Sequence, residues 1–184
     1  VQVMVGLPGD TEELALKSTT MLIRLAPDFA RIYPLVVLNG SLVAKWFQQG
    51  RYQPLSLESA VRQARQMYQM FTAANIRVIR MGLQSSDLME DDLQVLAGPW
   101  HPAFGHLVLS AVMYEEMTEK INDCLKQSGT GELTIRVHPR CESRARGHQN
   151  SHLEKLHRQY PQTRFSIALD PAMALDQVDV SDSA

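Results

Sequence analysis

The chain opens on an apolar, β-branched run, Val1-Gln2-Val3-Met4-Val5, that stops at Gly6-Leu7-Pro8-Gly9-Asp10. Glycine and proline end such a run because they favour turns, and Asp10 or Thr11 is placed to cap a following helix. Leu14, Met21, Leu22 and Leu25 then recur at helical spacing over 12–25, with Glu12 and Glu13 in the first turn, where the helix dipole favours acids. Pro27 closes that segment. The run 29–38 (FARIYPLVVL) predicts a second strand, and Asn39-Gly40 a turn. Ser41 caps a short helix carrying Leu42, Trp46 and Phe47, closed by Gly50. Ser56 and Ser59 are cap candidates for a helix running to about residue 74, with Val61, Ala64, Tyr68 and Phe71 on one side. Residues 76–81 (IRVIRM) alternate apolar side chains with arginine, the pattern of a half-buried strand. Residues 1–82 thus predict β-α-β-α-α-β, the order of parallel βαβ units.

Residues 83–102 are polar and acidic through Ser85, Ser86, Asp87, Glu90, Asp91 and Asp92, and then read Gly98-Pro99-Trp100-His101-Pro102. They predict a long connection and divide the chain into domains 1–83 and 84–184. Beyond it come a helix over 103–126, interrupted at Gly105, a loop at 128–131, and strands at 133–138 (LTIRVH) and 165–169 (FSIAL) around a helix at 151–159. The last ten residues are acidic and are expected to fray.

Composition narrows the class. At 184 residues the chain has the size of one domain or one and a half, and 45% hydrophobic with 21% charged residues is globular material. A net charge of −2 gives no global signal for nucleic acid. No apolar run approaches the roughly 20 residues of a membrane helix, so no membrane association is expected. Cys124 and Cys141 cannot make a disulfide framework, and a reducing, cytoplasmic setting is the expectation. Because Val1 lies already inside a strand-like run, the chain is expected to be a piece of a longer one.

The turn Gly6-Leu7-Pro8-Gly9-Asp10-Thr11 joins a strand to a helix N-terminus, where free backbone N–H groups can hold an anion. It lacks the Lys-Ser/Thr of a P-loop and the third glycine of a dinucleotide fingerprint, and taken alone a purely structural turn is the better account of it. Context changes its weight. A strand ending in this turn, a helix, and then Ala30-Arg31-Ile32-Tyr33-Pro34-Leu35-Val36-Val37-Leu38-Asn39-Gly40-Ser41 resembles radical S-adenosylmethionine (SAM) enzymes. The branch resembled is the one that includes the Elongator catalytic subunit and its shorter bacterial relatives. Trp46, Gly50-Arg51-Tyr52 with Pro54-Leu55, Val78-Ile79-Arg80-Met81 and Ala97-Gly98-Pro99-Trp100-His101-Pro102-Ala103-Phe104 extend the resemblance over most of residues 1–110.

The resemblance implies an α/β fold in which 1–83 is the C-terminal half of a partial (β/α)6 TIM-like barrel and 84–184 a smaller α/β extension. It implies an enzyme that cleaves SAM at a 4Fe-4S cluster and uses the 5′-deoxyadenosyl radical to take a hydrogen from substrate. In the family a Cys-x3-Cys-x2-Cys loop after the first barrel strand holds the cluster. Three thiolates are needed, and two distant cysteines cannot supply them. The chain is therefore expected to be inactive alone, its partner being the N-terminal barrel half of the same polypeptide.

The resemblance also names cofactor contacts. Gln2 and Met4 would face SAM from the first strand, and Tyr33, Pro34 or Val36 from the second, whose register the sequence leaves open. Period-2 alternation puts Gln2 and Met4 on one face, which also fits residues that merely line a barrel. Arg31 and Arg80 lie in the strands and can equally pair with an acid or meet substrate. His148 and His152 are four apart, with His157 and Cys141 nearby, a sparse set for a metal; His101 and His106 are expected to satisfy local backbone groups.

Residues 136–164 carry Arg136, Arg140, Arg144, Arg146, Lys155, Arg158 and Arg164 against Glu142 and Glu154. Such a stretch could hold a phosphate-rich partner such as tRNA, or be an ordinary solvated surface. Two rival readings follow: an RNA-binding module using this stretch, and a non-catalytic α/β interaction domain. If the chain is a truncated barrel, an open apolar sheet edge beside Val1–Val5 is expected, and with it poor solubility or self-association.

Overall fold

A computed structural model describes residues 1–83, 95–128 and 131–183. Two compact units divide it, Val1–Val108 and Leu109–Ala184. The sequence-based division at 83/84 falls earlier, because the polar stretch that suggested it is followed by a helix that continues from one unit into the other. The acidic residues Ser85 to Asp92, and Gly129 and Thr130, lie outside the described residues.

The first unit runs β1 (Gln2–Val5), α1 (Glu12–Ile23), β2 (Phe29–Pro34), β3 (Val37–Leu38), α2 (Leu42–Gln48), α3 (Leu57–Ala73), β4 (Arg77–Met81), β5 (Val95–Ala97) and the start of α4 (Phe104–Ser128). The N-caps follow the local signals: Thr11, Ser41 and Ser56 each accept a hydrogen bond from a backbone N–H three residues on. β1, β2 and β4 form a parallel sheet in the order β1-β2-β4. Helices bridge each step, as parallel pairing requires.

Alternation along the strands becomes burial on one side. Val3 and Val5 of β1 and Ala30 and Ile32 of β2 pack with Ala15 of α1 and with Ala60, Ala64, Met67 and Phe71 of α3. The other side carries Gln2 and Met4, then Phe29, Arg31 and Tyr33, each exposed or half-buried. Among the described residues β1 pairs only with β2, so its outer edge is unpaired.

Three expectations need correction. The single strand expected over 29–38 is two strands. β2 ends at Pro34, which has no N–H to continue a ladder, and Val37–Leu38 pairs antiparallel with Val95–Ala97, a strand inside the expected connection. The helix expected to break at Gly105 runs through it. A Cβ there would come to 2.9 Å from the Met81 carbonyl oxygen, so glycine serves close approach to β4 rather than a kink. The C-terminal residues expected to fray form a strand, described next.

The second unit holds the rest of α4, then β6 (Glu132–Val137), α5 (Glu142–Arg146), α6 (Ser151–Gln159), β7 (Arg164–Leu169) and β8 (Val178–Asp182), with 3-10 turns at Pro139–Cys141 and His148–Asn150. Its sheet has the order β7-β6-β8, β7 parallel and β8 antiparallel to the central strand. Leu133, Ile135 and Val137 alternate into a core with Met113, Met117, Ile121 and Leu156. Val178 and Val180 hold β8 in that core despite its acidic surroundings.

Gly82 sits at φ +86°, and a Cβ there would lie 2.7 Å from the Phe104 Cβ. Gly105→Ala raises helix propensity by up to about 1 kcal/mol but forces backbone apart. Both Gly82→Ala and Gly105→Ala are therefore expected to lower stability, by about 1–3 kcal/mol. Urea unfolding checks the sign, and a stabilised Gly105→Ala would contradict the packing described.

Candidate functional site

Ligands of parallel sheets gather at the C-terminal ends of the strands, where loops rather than helices cover the backbone. In the first unit these ends carry the segments that drew attention in the sequence. β1 is followed by Gly6, whose φ of +82° suits glycine and where a Cβ would come to 3.0 Å from the Leu55 Cδ1. The Tyr52 hydroxyl donates a 2.6 Å hydrogen bond to the Gly6 carbonyl oxygen, and burial raises its pKa. The Gly6-Leu7-Pro8-Gly9 turn is thus clamped by Gly50-Arg51-Tyr52 and Pro54-Leu55, roughly fifty residues on.

A second clamp closes the end of β2. Gly98 has φ +110°, and a Cβ on it would lie 3.1 Å from the Leu35 oxygen and 3.2 Å from the Val36 Cα. The Gly98-Pro99-Trp100-His101-Pro102 segment therefore rests on the chain leaving β2. The His101 Nδ1 accepts from the Ala103 N–H at 3.0 Å, the local backbone role expected of it.

Parallel register brings three of the five proposed contacts together. Gln2 lies opposite Arg31 and Met4 opposite Tyr33, and paired residues of neighbouring strands share a face. Gln2, Met4 and Tyr33 therefore stand on the side of the sheet opposite the one against which α1 and α3 pack. Pro34 and Val36 do not join them. Pro34 is buried in the alternation of Ala30 and Ile32, towards the helices, and Val36 is buried beyond the end of the strand.

The face offers the Gln2 amide, the Met4 thioether and the Tyr33 ring and hydroxyl, which suit binding better than proton transfer. Such a surface fits a flat, partly polar group like an adenosyl moiety. It does not fit an iron–sulfur cluster: Cys124 is half-buried, Cys141 buried, and the described residues hold no group of three metal-ligating side chains. Phe29 and Arg77, which the sequence reading did not single out for the face, are paired across it by register. Their alternation with Ala30 and Val78 was the available signal.

With this geometry in view, residues 27–114 match the family model of the Radical_SAM C-terminal domain. Over those residues the chain is similar to a radical SAM C-terminal domain. It is also 37% identical over 54 residues to the tRNA uridine(34) acetyltransferase of Dehalococcoides mccartyi (strain CBDB1), covering 28% of this chain and 12% of that protein. The radical SAM match takes in β2, α2, α3, β4 and the beginning of α4, so both clamps fall within it or touch it.

The second unit holds the residues of two other readings. Among its cations, Arg136 pairs with Asp179 at 2.6 Å, Arg144 with Asp176, Arg146 with Glu142 at 2.8 Å, and Arg158 and Arg164 with Glu154 and Glu132 at 3.4 Å. The Lys155 ammonium lies 5.7 Å from the centroid of the Tyr114 ring. The hydrogen bond from Arg136 holds Asp179 below the usual carboxylate range. Folding thus brings carboxylates from 132, 176 and 179 to cations that look unopposed in sequence.

His148 and His152 do not share a helix, because Gln149 and Asn150 have φ of 52° and 62° between them. His152 is buried beside Tyr114, ring centroids 4.7 Å apart, with Nδ1 lacking a hydrogen-bond partner. Burial, opposed only in part by backbone groups of Ala145, lowers its pKa to about 4. The unfolded chain then binds the proton more tightly than the folded one between about pH 6.5 and 4. Stability is expected to be full above that window and to fall by up to about 3 kcal/mol as pH drops through it. Urea unfolding at several pH values checks this, and His152→Gln should flatten the slope.

Proposed function

We propose that this chain is the C-terminal part of a radical SAM enzyme, in which β1, β2 and β4 complete a partial (β/α)6 barrel and their face opposite α1 and α3 forms part of the SAM wall. The observation that carries the reading is the shared placement of Gln2, Met4 and Tyr33 on that face, within a chain whose residues 27–114 match the C-terminal domain model. The unpaired edge of β1 is where a preceding barrel strand would add, and parallel pairing there would bury it.

Bound SAM would supply 5′-deoxyadenosyl radical chemistry, and the 4Fe-4S cluster that the activity needs would be ligated by cysteines outside this chain. The part of these residues is to seat the adenosyl group and keep water from it. Met4 gives a soft apolar contact, Gln2 a donor and an acceptor, and Tyr33 a ring edge and hydroxyl. Tyr52 and Leu55 act at one remove, fixing the turn after β1. The name of the Dehalococcoides relative makes tRNA the first substrate class to try. By itself the chain is expected to be inactive and, with its edge open, to self-associate.

The reading is tested in the DNA upstream. An in-frame Cys-x3-Cys-x2-Cys before Val1 is expected, and the extended protein should take up iron and sulfide with a visible absorption band. A reading frame that closes upstream without the triplet contradicts it.

A further inference from the structure

The face opposite α1 and α3 has a second, charged half. Across the three strands, one row in register reads Gln2, Arg31, Arg80, and the row before it pairs Phe29 with Arg77. Neighbouring strands lie about 4.8 Å apart, and like charges set directly opposite one another are destabilising. A register shift between Ala30 and Arg31 skips Ile79, and this is what brings Arg80 beside Arg31. Without the shift, Arg31 would face the isoleucine.

No carboxylate comes from the strand residues of this face. Arg31 is exposed, and among the described residues its one close partner is the Phe29 ring, 5.9 Å from the guanidinium carbon to the centroid. In the second unit, by contrast, arginine after arginine on strand or helix is matched by an acid. Arg80 has interactions of its own, so the weight falls on Arg31.

We propose that Arg31 binds an anionic group, a carboxylate or a phosphate, of a small substrate seated on this face, with Arg80 and Arg77 reinforcing the field. The guanidinium is planar and offers paired donors to either anion, and Phe29 beneath it limits its swing. Gln2 in the same row adds an amide donor. Met4 and Tyr33, one row nearer the strand ends, stay with the uncharged part of the ligand. The inference deepens the proposed function by naming the chemistry of the substrate, and it rests on that reading for the claim that this face meets a small ligand.

The test uses the whole chain with two anion probes, inorganic pyrophosphate and succinate, and one uncharged probe, 5′-methylthioadenosine, titrated into wild type, Arg31→Gln, Arg31→Lys and Arg158→Gln. Saturable binding of at least one anion is expected, weakened about tenfold or more in Arg31→Gln. Arg31→Lys should recover part of it, and Arg158→Gln, an exposed cation of the second unit, should match wild type. Melting temperatures without probe should be alike, which separates lost binding from lost folding. Pyrophosphate alone binding identifies a phosphate ester as the ligand group; succinate alone binding identifies a carboxylate. Equal affinity of Arg31→Gln and wild type, or no saturation by either anion, overturns the inference. If methylthioadenosine still binds in that case, the cofactor-wall reading survives it; if the anions bind and methylthioadenosine does not, the anion site stands and the cofactor wall fails.

Discussion

A parallel sheet of three strands has two faces, and among the described residues α1 and α3 pack on one of them. Everything distinctive about the first unit follows from that. Val3, Val5, Ala30 and Ile32 meet Ala60, Ala64, Met67 and Phe71 on the covered side, where burying each large side chain stabilises by about 1.5–3 kcal/mol. The side chains between them are then committed to the opposite face by strand geometry alone. Parallel sheets with one face bare are unusual, and the common exception is a sheet curved round so that its inner face meets a ligand or other inner side chains. The opposite face here is neither a solvated polar surface nor a plain apolar core. It mixes an amide, a thioether, an aromatic hydroxyl and arginines.

The two glycine clamps give this face a fixed rim. Gly6 admits Leu55 and is held through its carbonyl oxygen by Tyr52; Gly98 lies against the backbone at 35–36. In each, a residue type without a Cβ allows chain segments far apart in sequence to touch at the end of a strand. Gly82 and Gly105 do the same where β4 meets α4. Short motifs that are weak individually are thus parts of one construction, which explains why they are found together.

What could be read in advance was local. Strand alternation placed Gln2 and Met4, and helix caps at Thr11, Ser41 and Ser56 followed from hydroxyls ahead of apolar periodicity. The register left open among Tyr33, Pro34 and Val36 could not be read locally, because the end of β2 depends on pairing between residues 37–38 and 95–97. β8 was hidden by acidic composition, although Val178 and Val180 already alternate. The basic stretch in the second unit looked under-matched, with only Glu142 and Glu154 inside it, because further counter-charges, Asp176 and Asp179 among them, are brought from three or four tens of residues away.

The central claim is that the face of β1-β2-β4 opposite α1 and α3 is a wall for an adenosyl ligand. Methionine-methyl NMR reads it directly, because Met4 stands on that face while Met67 and Met117 are buried in the two cores. Titration with S-adenosylhomocysteine is predicted to shift the Met4 methyl saturably and leave those of Met67 and Met117 in place. A Met4 signal that stays unmoved at saturating ligand, or moves no more than the two core methionines, would contradict the account.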